Sequence, residues 1–248
     1  MLVLLPPSET KFSGGRGAPL DLSALSLPKL TPTRERLTRS LVELAADPAA
    51  SRAALSLGIH AEDEIARNAA LFTAATTPAL RRYTGVLYDA LAAPQFTRAQ
   101  RAKAAARLMI GSALFGAVRA DDPIPAYRLS GDSKLPGLPT LAALWRDELP
   151  TALAAEAAGE LVVDLRSELY RQLGRLPGAI TATVLTEQAD GTRSVVSHFN
   201  KHHKGLLARA LVVTRADPTD VRGLARVAAK AGLRVETPAA DRLVILTD

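Results

Sequence analysis

The chain opens on an unbroken apolar run, MLVLL, which Pro6 and Pro7 stop. Such a run without polar alternation predicts a strand buried on both faces, Met1 to Leu5. Residues 8–31 show no period and are rich in Ser, Gly, Pro and Leu, which predicts an irregular connection. From Pro32 to about Leu149 the apolar positions fall at helical spacing, with Leu37, Leu41 and Leu44 on one face of TPTRERLTRSLVELAA. Asp47 before Pro48 predicts an N-cap and a first helical residue, and Gly58 the end of that short helix. Further helices are predicted near 61–75, 78–92 and 97–109, the last opened by a capping box of Thr97 and Gln100. Another is predicted over Pro139 to Leu149, with Pro150 stopping or kinking it.

After Glu160 the pattern changes. LVVDL (161–165) is a short buried-strand run, and a helical stretch follows from Ser167. ITATVLTE and RSVVSHF flank Asp190-Gly191, a hairpin signal. Asn200 is placed to cap a helix carrying KHHKGLLARAL, and ALVVTRA is predicted as a strand after it. Asp217-Pro218 with Asp220 opens a helix to about Gly232, and LRVETP and DRLVILTD close the chain as strands. A lone first strand cannot satisfy its backbone groups, so it is expected to join the C-terminal sheet. The expected fold is α/β: a single mixed-sheet domain over 1–248, with a large helical insertion, about 32–158, between the first strand and the C-terminal strands.

Composition adds exclusions. In 248 residues there is no cysteine, which rules out thiol catalysis, disulfides and cysteine-ligated metal. Aromatics are only 4%, so Ala, Leu and Val must fill the core. MLVLLPPSETK lacks a basic leader region, and no run approaches the about eighteen apolar residues of a membrane span. A cytoplasmic protein without a membrane partner is therefore expected. The net charge of +6 favours an anionic partner: nucleic acid, nucleotide or phosphate.

The segment HFNKHHKGLL (198–207) carries three of the four histidines and two lysines. With Asn200 as cap, Lys201 falls in the first helical turn beside free N–H groups, Lys204 follows one turn on, and Gly205 keeps that face open. That is an anion site, and a solvated basic face is the plain alternative. A metal site is disfavoured: His198 is read in a strand, His202 and His203 point about 100° apart on a helix, and no carboxylate lies within the segment. Two strand ends are expected to converge on this anion site. The first delivers Ser8, Thr10 and Lys11, and LVVDL delivers Ser167, Glu168 and Tyr170, although each is also a plausible cap or turn residue. In the middle of the chain, Arg119 and Arg128 could contact phosphate, with Tyr127 stacking on a base. The alternative packs Tyr127 in the core and pairs Arg128 with Asp121 or Asp122. Arg98, Arg101, Lys103 and Arg107 form a basic helix, either a solvated face or a track for DNA. SGGRG (13–17) lacks the P-loop spacing. Trp145, amid LAAL, is expected to be packed.

Four segments occur in order: LPPSETK, LMIGSALFGAVRADDPIPAYRLSGD, LVVDLRSELY and HFNKHHKGLLARAL. Together they resemble the YaaA-like peroxide-stress proteins. In the third segment Arg166 and Leu169 stand where that family usually has alanine and glutamate. The resemblance implies a cytoplasmic protein of the hydrogen peroxide response that limits iron-driven damage. It also implies an α/β fold with a basic cleft, a helix-hairpin-helix-like element and binding of double-stranded DNA; SLGIHAEDEIA (56–66) is the place to look for the hairpin. On this reading Lys11, Arg119, Arg128, Lys201 and Lys204 contact phosphate, and Ser8, Ser167, Glu168, Tyr170 and Asn200 supply polar pocket groups. The rival reading is an enzyme acting on a nucleotide or other phosphorylated small molecule, with Ser167, Tyr170 and Lys201 as its catalytic groups. Neither reading calls for a cofactor or a metal, and the oligomeric state is left open.

Overall fold

The computed structural model describes residues 1–188, 190–194 and 197–247, without the side chains of Ser197, His198 and Phe199. The strands are β1 (Leu2–Leu5), β2 (Thr77–Pro78), β3 (Leu108–Ser112), β4 (Gly116–Arg119), β5 (Pro123–Ile124), β6 (Val162–Asp164), β7 (Ile180–Glu187), β8 (Arg193–Ser194), β9 (Arg234–Ala239) and β10 (Arg242–Thr247). The helices are α1 (Thr31–Ala45), α2 (Pro48–Leu55), α3 (Glu62–Ala69), α4 (Ala79–Arg82), α5 (Val86–Leu91), α6 (Arg98–Arg107), α7 (Leu141–Trp145), α8 (Glu148–Ala157), α9 (Glu168–Leu173), α10 (Ser197–Val213) and α11 (Val221–Lys230).

One eight-stranded sheet runs β4-β3-β1-β6-β7-β10-β9, with β8 paired to β7. Its centre is parallel, from β3 through β1, β6 and β7 to β10. The flanking β4 and β9 are antiparallel. The fold is thus α/β with a mixed sheet, and β1 does join it. Val3 lies between Leu108 and Val163, and Val3, Leu4 and Leu5 are wholly buried. From β1 the chain crosses to β3 on one side, and from β6 it moves to β7 on the other. At such a divergence the loops beyond adjacent carboxyl ends part and leave a crevice.

Several helical signals hold. Leu37, Leu41 and Leu44 are buried on α1. Asp47 accepts from Ala49 N and Ala50 N, the Thr97–Gln100 capping box is formed, and Asp220 caps α11. Gly191, at φ 81°, turns between β7 and β8.

Elsewhere tertiary packing overrides local pattern. The block between Leu5 and Val162 carries most of the helices but also β3 and β4, and β3 begins at Leu108, where the sequence predicts helix to residue 109. Leu108–Ser112 is buried at every position, and pairing with β1 decides its state. The stretch 78–92 breaks into α4 and α5 at Gly85, whose φ of 95° suits glycine. Pro150 neither stops nor kinks a helix, because it lies in the first turn of α8, where no N–H is needed. The short helix α2 ends at Leu55 with Ser56 at φ 52°, ahead of Gly58. ALVVTRA is not a strand: Ala210–Val213 is the end of α10, and Leu207, Ala208, Leu211 and Val212 form its buried helical face. That helix starts at Ser197, so Asn200 is inside it rather than at its cap. Trp145 is buried, as expected, and its Nε1 donates to Ala113 O at 2.9 Å. Among the described residues, no helix is long and apolar enough to cross a membrane.

Candidate functional site

A cavity of about 680 Å³ opens at the carboxyl ends of β1 and β6. Its walls are residues 6–11 after β1, 165–171 after β6, 84–88 at the start of α5, 127–130, part of β7, and one face of α10. That volume lies within the range of small-molecule sites.

On the β1 side, two prolines end the strand and a tight loop folds back on itself. Ser8 Oγ donates to Thr10 O at 2.6 Å and accepts from Thr84 N at 3.1 Å. Lys11 Nζ donates to Ser8 O at 3.0 Å and to Glu9 O at 3.2 Å. The same amine lies 4.4 Å from the Tyr127 ring centroid and 5.6 Å from that of Tyr83. Burial, helped by the nearby Arg128, pushes the Lys11 amine down to about 7. Beneath it, Tyr127 shares hydrogen bonds with Ser112 Oγ at 2.7 Å and with Tyr83 OH at 2.8 Å, and Phe115 N donates to Ser112 Oγ. Burial raises both phenols, so they keep their protons.

Arg128 is held by its main chain: its N donates to Asn68 Oδ1 at 2.8 Å and its O accepts from Asn68 Nδ2 at 2.9 Å. Its side chain pairs with Glu9 at 3.1 Å. Neither Asp121 nor Asp122 is its partner; Asp122 accepts from Ser26 and from Arg119 N.

On the β6 side, Arg166 and Asp164 form a buried bidentate pair, at 2.9 and 2.7 Å. Arg166 also donates to Gly174 O at 2.8 Å. It lies against Gly111, where a Cβ would come within 3.0 Å of its Cδ. Ser167 is exposed at the N-cap of α9 and makes no side-chain cap bond. Glu168 is exposed and paired with Arg171 at 2.6 Å and with Arg175; hydrogen bonding to Arg171 leads in holding its carboxyl below the usual range. Tyr170 is half-buried, and desolvation raises its phenol well above the ordinary value.

Helix α10 closes the cavity. Lys204 is only 8% exposed and donates to Leu165 O at 3.1 Å. Burial, then Arg171, pushes its amine down to about 8, with Asp164 opposing. Lys201, one turn earlier, is exposed at the rim. Gly205 does not keep a face open: a Cβ there would fall 2.3 Å from Leu87 O and 2.7 Å from Ala90 Cβ. The glycine instead lets α10 and α5 approach backbone to backbone.

A family model described as peroxide stress protein YaaA matches residues 1–237. The chain belongs to the YaaA family of peroxide stress proteins. UPF0246 proteins of Corynebacterium efficiens and Streptomyces coelicolor are similar throughout. The first is 51% identical over 240 residues, 95% of each chain; the second is 45% identical over 243 residues, 96% of this chain and 93% of the relative. An uncharacterized protein of Campylobacter jejuni is 26% identical over 208 residues, 84% of this chain and 82% of its own.

In this YaaA-family chain the cavity gathers Ser8, Lys11, Arg128, Ser167, Glu168, Tyr170, Asn200, Lys201 and Lys204. Arg119 is not brought there: its guanidinium donates to Ala105 O and Ala106 O at the end of α6 and pairs with Glu156. The first-turn anion grip is not formed as expected, since Lys201 is the fifth residue of α10 and Lys204 is buried. Sequence reasoning missed the Asp164–Arg166 pair and the hydroxyl chain Ser112–Tyr127–Tyr83. The i, i+2 spacing of Asp164 and Arg166 at a strand end was the available signal for the pair. His198 has its side chain outside the described residues. Among the described residues no group of three His, Asp or Glu is placed to hold a metal ion.

Proposed function

We propose that the cavity binds a phosphorylated small molecule of nucleotide size and acts on it, within the peroxide-stress role of the YaaA family. The observation that carries this reading is a pair of amines, half-buried Lys11 and buried Lys204, lining one cavity from distant parts of the chain and each bonded to a main-chain carbonyl of a strand-end loop. Two desolvated cations with nearby Arg128 favour an anion. An amine that titrates near 7 can also take a proton from, or attack, a bound substrate. Tyr170, kept protonated by burial, is a hydrogen-bond donor on the 165–171 wall, and exposed Ser167 is open to the ligand. Lys201 at the rim would meet the anion on entry. The test is a thermal-stability screen of the whole chain against nucleoside mono- and triphosphates and sugar phosphates. A rise in melting temperature that grows with ligand concentration supports the reading; no shift with any phosphorylated compound sinks it.

Double-stranded DNA held at the mouth is the second reading. It is favoured by the net charge of +6 and by exposed Lys201 in the cavity lining, which Arg171 also joins. SLGIHAEDEIA, in which Ser56–Ala61 joins α2 to α3, would supply a hairpin contact. Anisotropy of labelled duplex, bulged and single-stranded DNA across a salt series tests it. A steep fall of log affinity with log salt, flattened in Lys201→Ala, supports phosphate contact there. Absence of binding at low salt removes it.

A further inference from the structure

Among the described residues, Glu9 and Glu168 are the carboxylates that line the cavity, one after β1 and one after β6. Each is paired with an arginine that lines it too: Glu9 with Arg128 at 3.1 Å, and Glu168 with Arg171 at 2.6 Å. In both pairs the arginine belongs to the wall and the carboxylate to the solvent side. The Arg128 side chain is 18% exposed against 74% for Glu9, and that of Arg171 is 26% exposed against 47% for Glu168.

Neither pair uses the two-oxygen fork that arginine makes with its best partners. Glu9 takes one bond, from Arg128 Nη1, and Arg171 sends both Nε and Nη2 to the single oxygen Oε2 of Glu168. Exposed pairs of this kind contribute little to stability, and either carboxylate can swing into water at small cost. Each arginine also has a second cation beside it. After burial, Arg128 is the largest influence lowering the Lys11 amine, and Arg171 the largest lowering that of Lys204. An anion that reached either couple would relieve repulsion as well as fill the fork.

We propose that the cavity holds two anion subsites, Arg128 with Lys11 and Arg171 with Lys204, which Glu9 and Glu168 occupy until a ligand with two anionic groups displaces them. This rests on the small-molecule reading above and deepens it by naming the substrate class, a small molecule with an anionic group for each arginine. A compound with one phosphate fills one subsite and leaves the other carboxylate in place. The two glutamates thus select for ligands with two charges, since both must be displaced for full affinity.

The experiment is titration calorimetry of the whole chain with adenosine monophosphate against adenosine 3′,5′-bisphosphate, and with fructose 6-phosphate against fructose 1,6-bisphosphate. The wild type should bind at least one bisphosphate about tenfold more tightly than its monophosphate, the gain expected from a second charge-assisted contact. Glu9→Gln and Glu168→Gln should each tighten that bisphosphate by about two- to fivefold, because a competing charge is gone. Arg128→Gln and Arg171→Gln should each bring it to within about threefold of the monophosphate, since one subsite remains. Weaker binding in either glutamate variant overturns the inference, because the carboxylate would then be holding the site together. Loss of all phosphate binding in one arginine variant alone also overturns it, as the mark of a single anion site. Duplex DNA that displaces the bisphosphate overturns it as well, assigning the subsites to backbone phosphates. Equal wild-type affinity within both compound pairs overturns this inference and leaves the parent reading standing. Failure of the wild type to bind any of the four compounds overturns the parent reading, and this one with it.

Discussion

The Lys11 amine sits 4.4 Å above the Tyr127 ring, with two of its N–H groups spent on the carbonyls of its own loop. Two influences compete there. Burial and Arg128 favour the neutral amine, while the ring face favours the ammonium. Burial prevails, and the amine titrates near 7.

That balance fixes a pH dependence of stability. Below pH 7 the folded and unfolded chains both hold the Lys11 proton; between about 7 and the ordinary 10.5 only the unfolded chain does. Stability contributed by Lys11 therefore rises with pH across that window. Beside it, Arg128 and Arg67 act to lower the value and Glu64 and Glu9 to raise it. In melts from pH 6 to 10, Lys11→Met is expected to lack this rise, so the difference from wild type changes steadily above pH 7. A difference that does not change with pH would place the amine in water.

Lys204 tests the anion site through its charge. Its amine titrates near 8, so it attracts a bound phosphate below that pH and loses its pull above it. Lys204→Met should weaken binding of adenosine monophosphate at pH 7, and the deficit should shrink at pH 9. A deficit that is the same at both pH values would mean that the substitution acts through packing at Leu165.

The Asp164–Arg166 pair is buried at 3% and 1% side-chain exposure. Removing one member leaves a desolvated charge. Asp164→Ala is expected to lower the free energy of unfolding by about 3–5 kcal/mol in urea titrations. The double variant Asp164→Leu, Arg166→Met should recover much of that loss, because an apolar pair of similar volume meets no such penalty.

Glycine to alanine in a helix ordinarily stabilises by about 1 kcal/mol. At Gly205 the sign should reverse, because the new methyl meets the Leu87 carbonyl at 2.3 Å. Destabilisation of about 1–3 kcal/mol by Gly205→Ala, read from urea midpoints, is expected from overpacking of this kind.

Segments whose local pattern agreed with their packing were legible in the sequence. MLVLL could only be a buried strand, and Asp47-Pro48, Thr97–Gln100 and Asp220 carry their capping chemistry within four residues. Where burial on all sides erased the period, the pattern misled. LMIGS followed a helix without a breaker and became a strand through pairing with β1, and ALVV kept its helical turn through contacts with distant elements. The convergence of residues 8–11, 167–170 and 200–204 was readable because strand ends gather ligands. The protonation of the lysines was not, since desolvation depends on neighbours that no spacing reveals. Arg119 shows the same limit: its charge was visible, but the carbonyls at the end of α6 that take it were not.

The position of β1 has a consequence for how the molecule is made. The strand precedes both of its neighbours in the chain, Leu108–Ser112 and Val162–Asp164, by more than a hundred residues. Until both exist, an apolar segment waits with both hydrogen-bonding edges open. The loop that carries Lys11 cannot be set before then, and Lys204 comes later still. The cavity is therefore complete only when almost the whole chain has folded. A compound seated between its walls ties the first residues to α10, and its protection against unfolding should extend through the sheet rather than stay local to the site.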